Sequence, residues 1–518
     1  MNPSNKSLRK FILLTISFIE GGSLMAAEII SARLLAPYFG SSLFVWSAVL
    51  AITLGGLAIG YFVGGVLSKR ARKDLTLLTV VIYSAAALMT MPFVAQAVAS
   101  MAYTAPFNQA VLTVTMFTIL PPVIGMGMVS PLMIANLTQQ GSESGKVSGT
   151  VYAISTCGGI LFTFLFGFFI IPNYGLILPA IFTGLFLGLL PAVYLFKYGF
   201  KHQGILSTVF IGTLLLSIWQ QKLIGANFDI LYINEGILGQ IVVADVDVYR
   251  DDYSKIKQRA VFINMAIQSS EGETPEQNYE YEYIKHSRLI LESLPKNSNV
   301  LLLGLGGGAL AKASVQAQHN TDVVELDERI IYVAREYFNL PDVVNNICQD
   351  ARWYIRNSNK LYDAIVIDVF KGEDAPAHVF TIEAVNEIDK ILNPAGVVVI
   401  NTHGYYNGSM GKGNRSILKT LISYGYHADF LITHANEMRS SGLIVSGKQK
   451  SLYESAIPAD VEDLFIDLDK IDLEDAYILT DSRPILDYLN MSANKEWRKN
   501  HLGYIQTFVK SRYIPLFH

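Results

Sequence analysis

The sequence predicts an α-helical membrane domain followed by a soluble α/β domain. Two observations predict this division. Of the 518 residues, 51% are hydrophobic and 16% are charged, and charged residues are scarce between Phe11 and Trp219, where long apolar runs follow one another. From Gln220 onward the composition is that of an ordinary soluble domain, and from Asn299 short strand-like runs alternate with helical segments.

Seven apolar runs define the membrane domain, which we place at residues 1–222. A helix needs about 20 apolar residues to cross a bilayer. The seventh run is shorter than that, so the sequence predicts six or seven helices. The runs are Phe11–Ile30, Phe44–Leu67, Leu77–Ala99, Val111–Ile134, Val151–Ile171, Leu176–Phe196 and Ile205–Trp219.

Two acidic residues, Glu20 and Glu28, lie within the first apolar run. Carboxyl groups at membrane depth are costly and usually functional. Two interpretations stay open. The pair could form a site for a cation or a polar head group inside the helix bundle, or it could be structural, with Arg33 as a partner near the end of the span.

Basic residues in short loops predict the orientation of the helices. They precede the first run and follow the second and sixth runs, which places all three groups on one side if the N-terminus is cytoplasmic. A seventh crossing would then put the soluble domain outside. A cytoplasmic soluble domain therefore requires that Ile205–Trp219 does not cross, or that another run is re-entrant.

Charge and cysteine content exclude several kinds of site. The net charge of −4 gives no basic surface for nucleic acid, so we expect no nucleic-acid partner. The two cysteines, Cys157 and Cys348, are too few for a disulfide framework or a cysteine-rich metal site. No metal is expected.

A small β region with a linking helix is predicted at residues 223–295. Gly239–Arg250 and Ala260–Ser269 are rich in β-branched residues and are interpreted as a pair of strands. Tyr279–Leu294 has the apolar spacing of a helix.

The α/β domain is predicted at residues 296–518. From Asn299 strands alternate with helices as far as the strand Gly396–Asn401, a pattern that predicts a parallel sheet with helices on both faces. Val300–Leu303 is a short buried strand, and the glycine-rich turn Gly304–Gly308 follows it. Glu325, near the end of the second strand, lies about 20 residues after the first glycine, as in a Rossmann-type nucleotide site. The letters G-L-G-G-G-A lack the third glycine of the G-x-G-x-x-G pattern, which disfavours NAD.

These residues resemble the spermidine synthase family, within the class I methyltransferase-like Rossmann fold. The pattern is most similar to the bacterial proteins in which a transporter-like multi-pass domain is fused to a spermidine-synthase-like domain. That resemblance implies the bacterial inner (plasma) membrane. The matching stretches are Arg33–Ser41, Val45-Trp46, Gly239–Ile241, Phe262–Gln268, Gly304–Gly308, Val324–Asp327, Gln349–Arg352 and Asp368–Thr381.

The resemblance implies a role for each matching residue. Asp368 would be the catalytic general base that takes a proton from an attacking amine. Decarboxylated or intact S-adenosylmethionine would be the co-substrate. The residues expected to bind it are Gln240, Gly304, Gly306, Gly308, Glu325 (on the ribose hydroxyls), Asp327, Asp350 (on the adenine amino group) and Ala351. The residues expected to bind the acceptor are Gln268, Tyr281 and Asp374.

Two departures from the family pattern leave the function open. Gly307 and Lys371 replace acidic residues that soluble spermidine synthases carry, and a site without those carboxylates should bind diamines poorly. Three functions are therefore considered. They are aminopropyl transfer to putrescine or a related amine, use of S-adenosylmethionine on a lipid or another membrane-delivered acceptor, and transport with a nucleotide-sensing domain. Membrane lipids are expected partners, and a homo-oligomer stays open.

Overall fold

A computed structural model describes most of the chain. The described residues are 3–70, 73–102, 105–138, 144–197, 210–213, 215, 229–249, 255–272, 282–370, 375–403, 405–433, 441–449, 464–466 and 468–512. They form two compact units. The first comprises residues 1–228 with 233–240 and 502–518, and the second comprises 229–232 with 241–501.

The first unit is a bundle of apolar helices. They are α1 (Pro3–Phe39), α2 (Leu43–Leu67), α3 (Lys73–Ala102), α4 (Phe107–Leu137), α5 (Ser144–Leu165) and α6 (Ile177–Lys197). Helix α5 continues through a π-helical turn, Phe166–Ile170, to Tyr174.

Five of the described helices are long and apolar enough to cross a membrane, namely α1 to α5 with the continuation to Tyr174. Helix α6 contains a shorter apolar segment, Ile177–Val193. Most of the seventh predicted run, Ile205–Trp219, lies outside the described residues. The total of six or seven helices therefore stays a prediction.

Helices α1 and α5 approach closely because glycines face one another. A Cβ atom on Gly158 would overlap the carbonyl oxygen of Phe18, and small residues of this kind let helix backbones touch in membranes. Glu20 is 3% exposed at this interface, and Ser155 donates to its carboxylate over 3.3 Å. Arg33 donates a hydrogen bond to the carbonyl oxygen of Ile237.

The small β region is a four-stranded sheet rather than a pair of strands. The strands are β1 (Asp229–Asn234), β2 (Ile241–Tyr249), β3 (Lys255–Ile263) and β4 (Ala266–Gly272) in sequential order. The predicted strand Ala260–Ser269 was wrong because a tight turn divides it. Asn264 and Met265 both have positive φ, 47° and 63°, which reverses the chain direction between β3 and β4.

An eight-stranded sheet forms the centre of the second unit. Its order is β12-β10-β11-β9-β8-β5-β6-β7. The strands are β5 (Asn299–Leu303), β6 (Asn320–Glu325), β7 (Asn345–Cys348), β8 (Tyr362–Ile367), β9 (Leu392–His403), β10 (His427–Ile432), β11 (Ser441–Gly447) and β12 (Phe465–Ile466).

The predicted parallel sheet is confirmed for strands β5 to β9, and antiparallel strands continue the sheet beyond β9. Strands β7, β6, β5, β8 and β9 are parallel, whereas β11, β10 and β12 are antiparallel. A crossover helix enforces parallel pairing. Strands β10 and β11 follow one another without a described helix between them, and they pair as antiparallel neighbours.

Helices cover the sheet on both faces. They are α7 (Glu282–Ser293), α8 (Ala309–Gln316), α9 (Glu328–Phe338), α10 (Ala351–Asn357), α11 (Ile382–Ile391), α12 (Lys412–Tyr424) and α13 (Leu486–Arg512). Alternate residues of one strand enter different apolar cores. Leu301 and Leu303 belong to one core, and Val300 and Leu302 belong to the other. Two buried faces explain why these strands are continuous apolar runs.

Candidate active site

A cleft opens where the chain reverses its direction of winding across the sheet. Strand β5 lies between β6 and β8, and ligands of such sheets bind outside the carboxyl ends of the strands at this point. The residues that line the cleft are Gln268, Ser269, Tyr283, Ile284, Leu302, Gly304, Leu305, Gly306, Gly307, Ala309, Leu310, Ala311 and Asp368.

The glycine-rich turn connects β5 to α8 in a conformation that side chains disfavour. Gly304, Gly306 and Gly308 have φ values of +95°, +53° and +81°, which only glycine adopts without strain. A Cβ atom on Gly304 would also overlap the carbonyl oxygen of Asp368. The turn therefore brings the predicted nucleotide-binding glycines directly against the predicted base.

Glu325 lies at the end of β6 and supports the turn. Its carboxylate accepts hydrogen bonds from the backbone N–H groups of Asp327 over 2.9 Å and Leu305 over 3.1 Å. Burial raises the pKa of the Glu325 carboxyl group to about 7, although these two hydrogen bonds oppose the shift. The structure thus places Glu325 beside the glycine-rich turn, and its role on the ribose stays a prediction.

Two other predicted nucleotide ligands cap helices. Asp327 accepts from the backbone N–H of Arg329 at the start of α9 and pairs with the guanidinium of the same residue over 2.6 Å. Asp350 accepts from the N–H of Trp353 at the start of α10. A carboxylate at a helix N-terminus satisfies free backbone donors, so both residues have a structural role besides the predicted one.

The neighbours of Asp350 connect it to the segment that follows β8. His378 lies with its Nε2 atom 3.3 Å from Oδ2 of Asp350. Ala351, the next residue, is 9% exposed and belongs to the apolar core on that face of the sheet. Of Asp350 and Ala351, Asp350 is the one with a polar and accessible side chain, which a hydrogen bond to adenine would require.

Asp368 follows directly after β8 and lines the cleft. Asn401, on β9, donates from Nδ2 to Oδ1 of Asp368 over 2.8 Å, and the hydroxyl of Tyr283, on α7, donates to the same carboxylate. Burial raises the pKa of the Asp368 carboxyl group, and these two hydrogen bonds lower it in part. A partly exposed carboxylate with a raised pKa is typical of a general base.

Sequence reasoning missed Tyr283 and Asn401. Tyr283 was recognised only as an apolar position of the helix, while Tyr281, two residues earlier, was chosen for the substrate site. Asn401 was recognised only as the end of a strand. A polar residue at the carboxyl end of a parallel strand was the available signal for Asn401.

Gln268 lies at the mouth of the glycine-rich turn. Its side-chain amide donates to the carbonyl oxygen of Ala266 over 3.3 Å. The backbone carbonyl oxygen of Gln268 lies 3.9 Å from the position that a Cβ atom on Gly306 would occupy. Next to it, Ser269 fills the space beside Gly307. A Cβ atom on Gly307 would lie 2.8 Å from Oγ of Ser269 and 3.2 Å from Phe338.

Of the predicted site residues, Gly304, Gly306, Gln268 and Asp368 line the cleft, whereas Gly308, Glu325, Asp327, Asp350 and Ala351 are not among its lining residues. Tyr281 and Asp374 lie outside the described residues, as does Lys371. Gln240 belongs to the first unit, where it is buried and donates to the carboxylate of Glu235 over 2.7 Å. The roles of these residues stay predictions.

Arg352, on α10, is the centre of a buried hydrogen-bond network. Arg352 is 5% exposed. It donates to the carboxylate of Asp481 over 3.1 Å, to the hydroxyl of Thr381 over 3.0 Å, and to Glu387 and the carbonyl oxygen of His378. The segment Leu479–Pro484 is held to the α10 side of the sheet by this network.

Among the residues with described positions, no group of three or more His, Cys, Asp and Glu side chains could hold a metal ion.

Comparison with known proteins gives the family of the second unit. The model of the spermine/spermidine synthase domain matches residues 277–410. A polyamine aminopropyltransferase of Vibrio vulnificus is 35% identical over 130 residues, which cover 23% of this chain and 44% of that protein. An N-terminal histidine N-methyltransferase of Emericella nidulans is 37% identical over 112 residues, which cover 21% of this chain and 20% of that protein.

The chain thus spans less than half the length of these two curated relatives. The crystal structure of spermidine synthase from Thermotoga maritima aligns with 52% of this chain and 87% of that one, at 15% identity and a TM-score of 0.35. The predicted division into apolar helices, a small sheet and an α/β domain is confirmed. Residues 277–410 carry the match to the spermine/spermidine synthase domain, and five long apolar helices precede them among the residues with described positions.

Proposed function

We propose that the second unit transfers an aminopropyl group from decarboxylated S-adenosylmethionine to putrescine or a related amine. The observation that carries this proposal is the position of Asp368. Its carboxylate lies in the cleft at the carboxyl end of β8, against the glycine-rich turn, and it receives hydrogen bonds from Asn401 and Tyr283. The match of residues 277–410 to the spermine/spermidine synthase domain supports it.

The reaction needs one proton transfer and one displacement. Asp368 accepts a proton from the protonated acceptor amine, which frees the nitrogen lone pair. The nitrogen then bonds to the propyl carbon attached to the sulfonium, and the carbon–sulfur bond breaks with its electron pair moving to sulfur. The products are a secondary ammonium and a neutral thioether. Because the sulfonium is already a good leaving group, the protein mainly supplies position and the base.

The nucleotide half of the donor would lie across the turn and the ends of β6 and β7. Glu325 would accept hydrogen bonds from the ribose hydroxyls, and Asp350 would accept one from the adenine amino group. The left-handed glycines leave the backbone bare where the nucleotide would approach. Asp327 and Ala351 flank these two contacts, as the resemblance implies.

A second function is favoured by the packing around Gly307. Ser269 and Phe338 occupy the space that a side chain on Gly307 would need, so the cleft has no acidic group at that place. A donor that keeps its carboxylate would avoid repulsion there. The second candidate is therefore transfer from intact S-adenosylmethionine, with a lipid or another membrane-delivered molecule as acceptor.

One calorimetric experiment separates these functions. The detergent-purified chain is titrated with decarboxylated and with intact S-adenosylmethionine, and turnover of putrescine is measured with the decarboxylated donor. Preference for the decarboxylated donor together with a polyamine product supports aminopropyl transfer. Preference for the intact donor without polyamine product contradicts it and supports the second candidate.

A matched pair of variants tests the base. Asp368→Asn should lower turnover by about 10²–10⁴-fold and leave donor binding intact. Asp363→Asn is the control, because Asp363 lies on the same strand outside the cleft and accepts from Asn299 and Asn393. Equal losses in both variants would contradict the role of Asp368.

We further propose that the apolar helices of the first unit span the bacterial inner membrane and that the second unit lies in the cytoplasm. The basic residues near the N-terminus and after α2 support this orientation. Cys348 is exposed on the second unit, so a membrane-impermeant maleimide should label it in inside-out vesicles of a Cys157→Ser variant. Labelling in intact spheroplasts instead would contradict the cytoplasmic placement.

A further inference from the structure

Asn401 is a polar side chain in a row of buried apolar ones. Side chains alternate between the two faces of a strand, and Val397 and Val399, which share a face of β9 with Asn401, belong to the apolar core that α7 covers. Asn401 itself is only 9% exposed. Burying an amide costs free energy unless its groups are hydrogen-bonded, so this amide needs a specific reason to be here.

The register of the sheet places Asn401 beside Asp368. Ile367 on β8 pairs with Ile400 on β9, so the next residue of each strand lies at the same level. The Nδ2 atom of Asn401 donates to Oδ1 of Asp368 over 2.8 Å. One polar group at the end of each neighbouring strand therefore forms a pair where the two parallel strands end.

The other end of the amide defines its orientation. The Oδ1 atom of Asn401 is buried and accepts no hydrogen bond from any residue whose position is described. Leaving a buried acceptor unpaired costs about 1–3 kcal/mol. Rotating the amide would not help, because its oxygen would then face the ionised carboxylate. In the observed orientation the Oδ1 atom of Asn401 lacks a described partner, while its N–H group donates to Asp368.

Two elements hold the carboxylate from different directions. Strand β9 contributes the amide of Asn401, and helix α7 contributes the hydroxyl of Tyr283, the titratable group that contacts Asp368 among the residues with described positions. The glycine-rich turn contributes backbone at Gly304. An ionised carboxylate has about four acceptor positions, so two donors leave lone pairs for the amine.

We propose that Asn401 is a positioning residue for the general base. Its N–H group holds the carboxylate of Asp368 in one orientation, in its ionised form, toward the acceptor amine. This inference rests on the proposed role of Asp368 and deepens it. Misplacing a reacting group by about 1 Å can cost about 100-fold in rate.

The test compares Asn401→Leu, Asn401→Ser and Thr402→Val in the full-length protein with decarboxylated S-adenosylmethionine and putrescine. Leucine has the same number and branching of side-chain heavy atoms as asparagine but no donor, and serine restores a hydroxyl donor. Thr402 is the control, because it is the next residue of β9 and its hydroxyl donates to the carbonyl oxygen of Gly442. Calorimetric binding of the donor checks that each variant is folded.

We expect Asn401→Leu to lower kcat by about 100-fold with the KM of the donor nearly unchanged. The acid limb of the kcat/KM profile should move to higher pH, because the carboxylate has lost a donor that favours its ionised form. Asn401→Ser should recover part of kcat and move the limb back. Thr402→Val should change neither property.

Three outcomes would overturn the inference. The first is wild-type kcat in Asn401→Leu. The second is a loss of kcat with an unmoved acid limb. The third is the same changes in Thr402→Val. If the wild-type protein makes no polyamine at all, the proposed function fails together with the inference. If the wild-type protein is active and only the variants behave otherwise than expected, the inference fails alone.

Discussion

Glu325 should make folding and nucleotide binding depend on pH. Burial raises the pKa of its carboxyl group from 4.5 to about 7. Because the folded-state pKa exceeds the unfolded-state value, ionisation of Glu325 destabilises the folded state as the pH rises from about 4.5 to about 7. Between about pH 5 and about pH 8 this lowers the free energy of unfolding by about 2.5 kcal/mol.

The substitution Glu325→Gln removes the titration. Glutamine keeps an oxygen for one of the two backbone N–H groups but turns its NH₂ group toward the other, which costs about 1–3 kcal/mol at every pH. The stability of the variant relative to the wild type should therefore rise by about 2.5 kcal/mol from about pH 5 to about pH 8. Denaturant unfolding in detergent, followed by tryptophan fluorescence, measures this difference.

Donor binding gives a second measurement on the same variant. Ribose hydroxyls donate to an ionised carboxylate more strongly than to a protonated one. Wild-type affinity should thus fall below about pH 7, whereas the weaker affinity of Glu325→Gln should be nearly constant with pH. Glu328→Gln, at the exposed first turn of α9, is the control. A stability difference that does not change with pH would refute the raised pKa of Glu325.

Three further substitutions test the geometry of the cleft. Gly304→Ala should destabilise the domain and abolish donor binding, because its Cβ would overlap the backbone of Asp368 at positive φ; thermal unfolding and calorimetry measure both effects. Arg352→Ala should destabilise the domain because it removes hydrogen bonds to Thr381, Glu387 and Asp481. Arg356 still pairs with Glu387, so we expect a loss of about 1–3 kcal/mol of unfolding free energy, as denaturant titration would show. Tyr283→Phe should lower kcat and leave donor affinity unchanged, and an unchanged kcat in steady-state assays would contradict its contact with the base.

Local sequence patterns were sufficient for the elements that carry the nucleotide site. The apolar run Val300–Leu303, the glycines after it and Glu325 were placed correctly because each depends on residues near in sequence. The division of Ala260–Ser269 between two strands was missed because the turn residues Asn264 and Met265 include no glycine, which usually marks a two-residue hairpin turn. The antiparallel strands β10 and β11 were missed because the sequence analysis named no strand or helix after Asn401.

The sequence by itself determined the apolar helices and the α/β class, because hydropathy and periodicity act over a few turns of chain. The candidate base Asp368 came from the resemblance to the spermidine synthase family. Only the tertiary structure decided what surrounds Asp368. Asn401 is 33 residues away from it, and Tyr283 reaches it from a separate helix. Arg352 likewise finds Asp481 across 129 residues. Such contacts follow from strand register and helix packing, which depend on the whole fold and not on any local pattern.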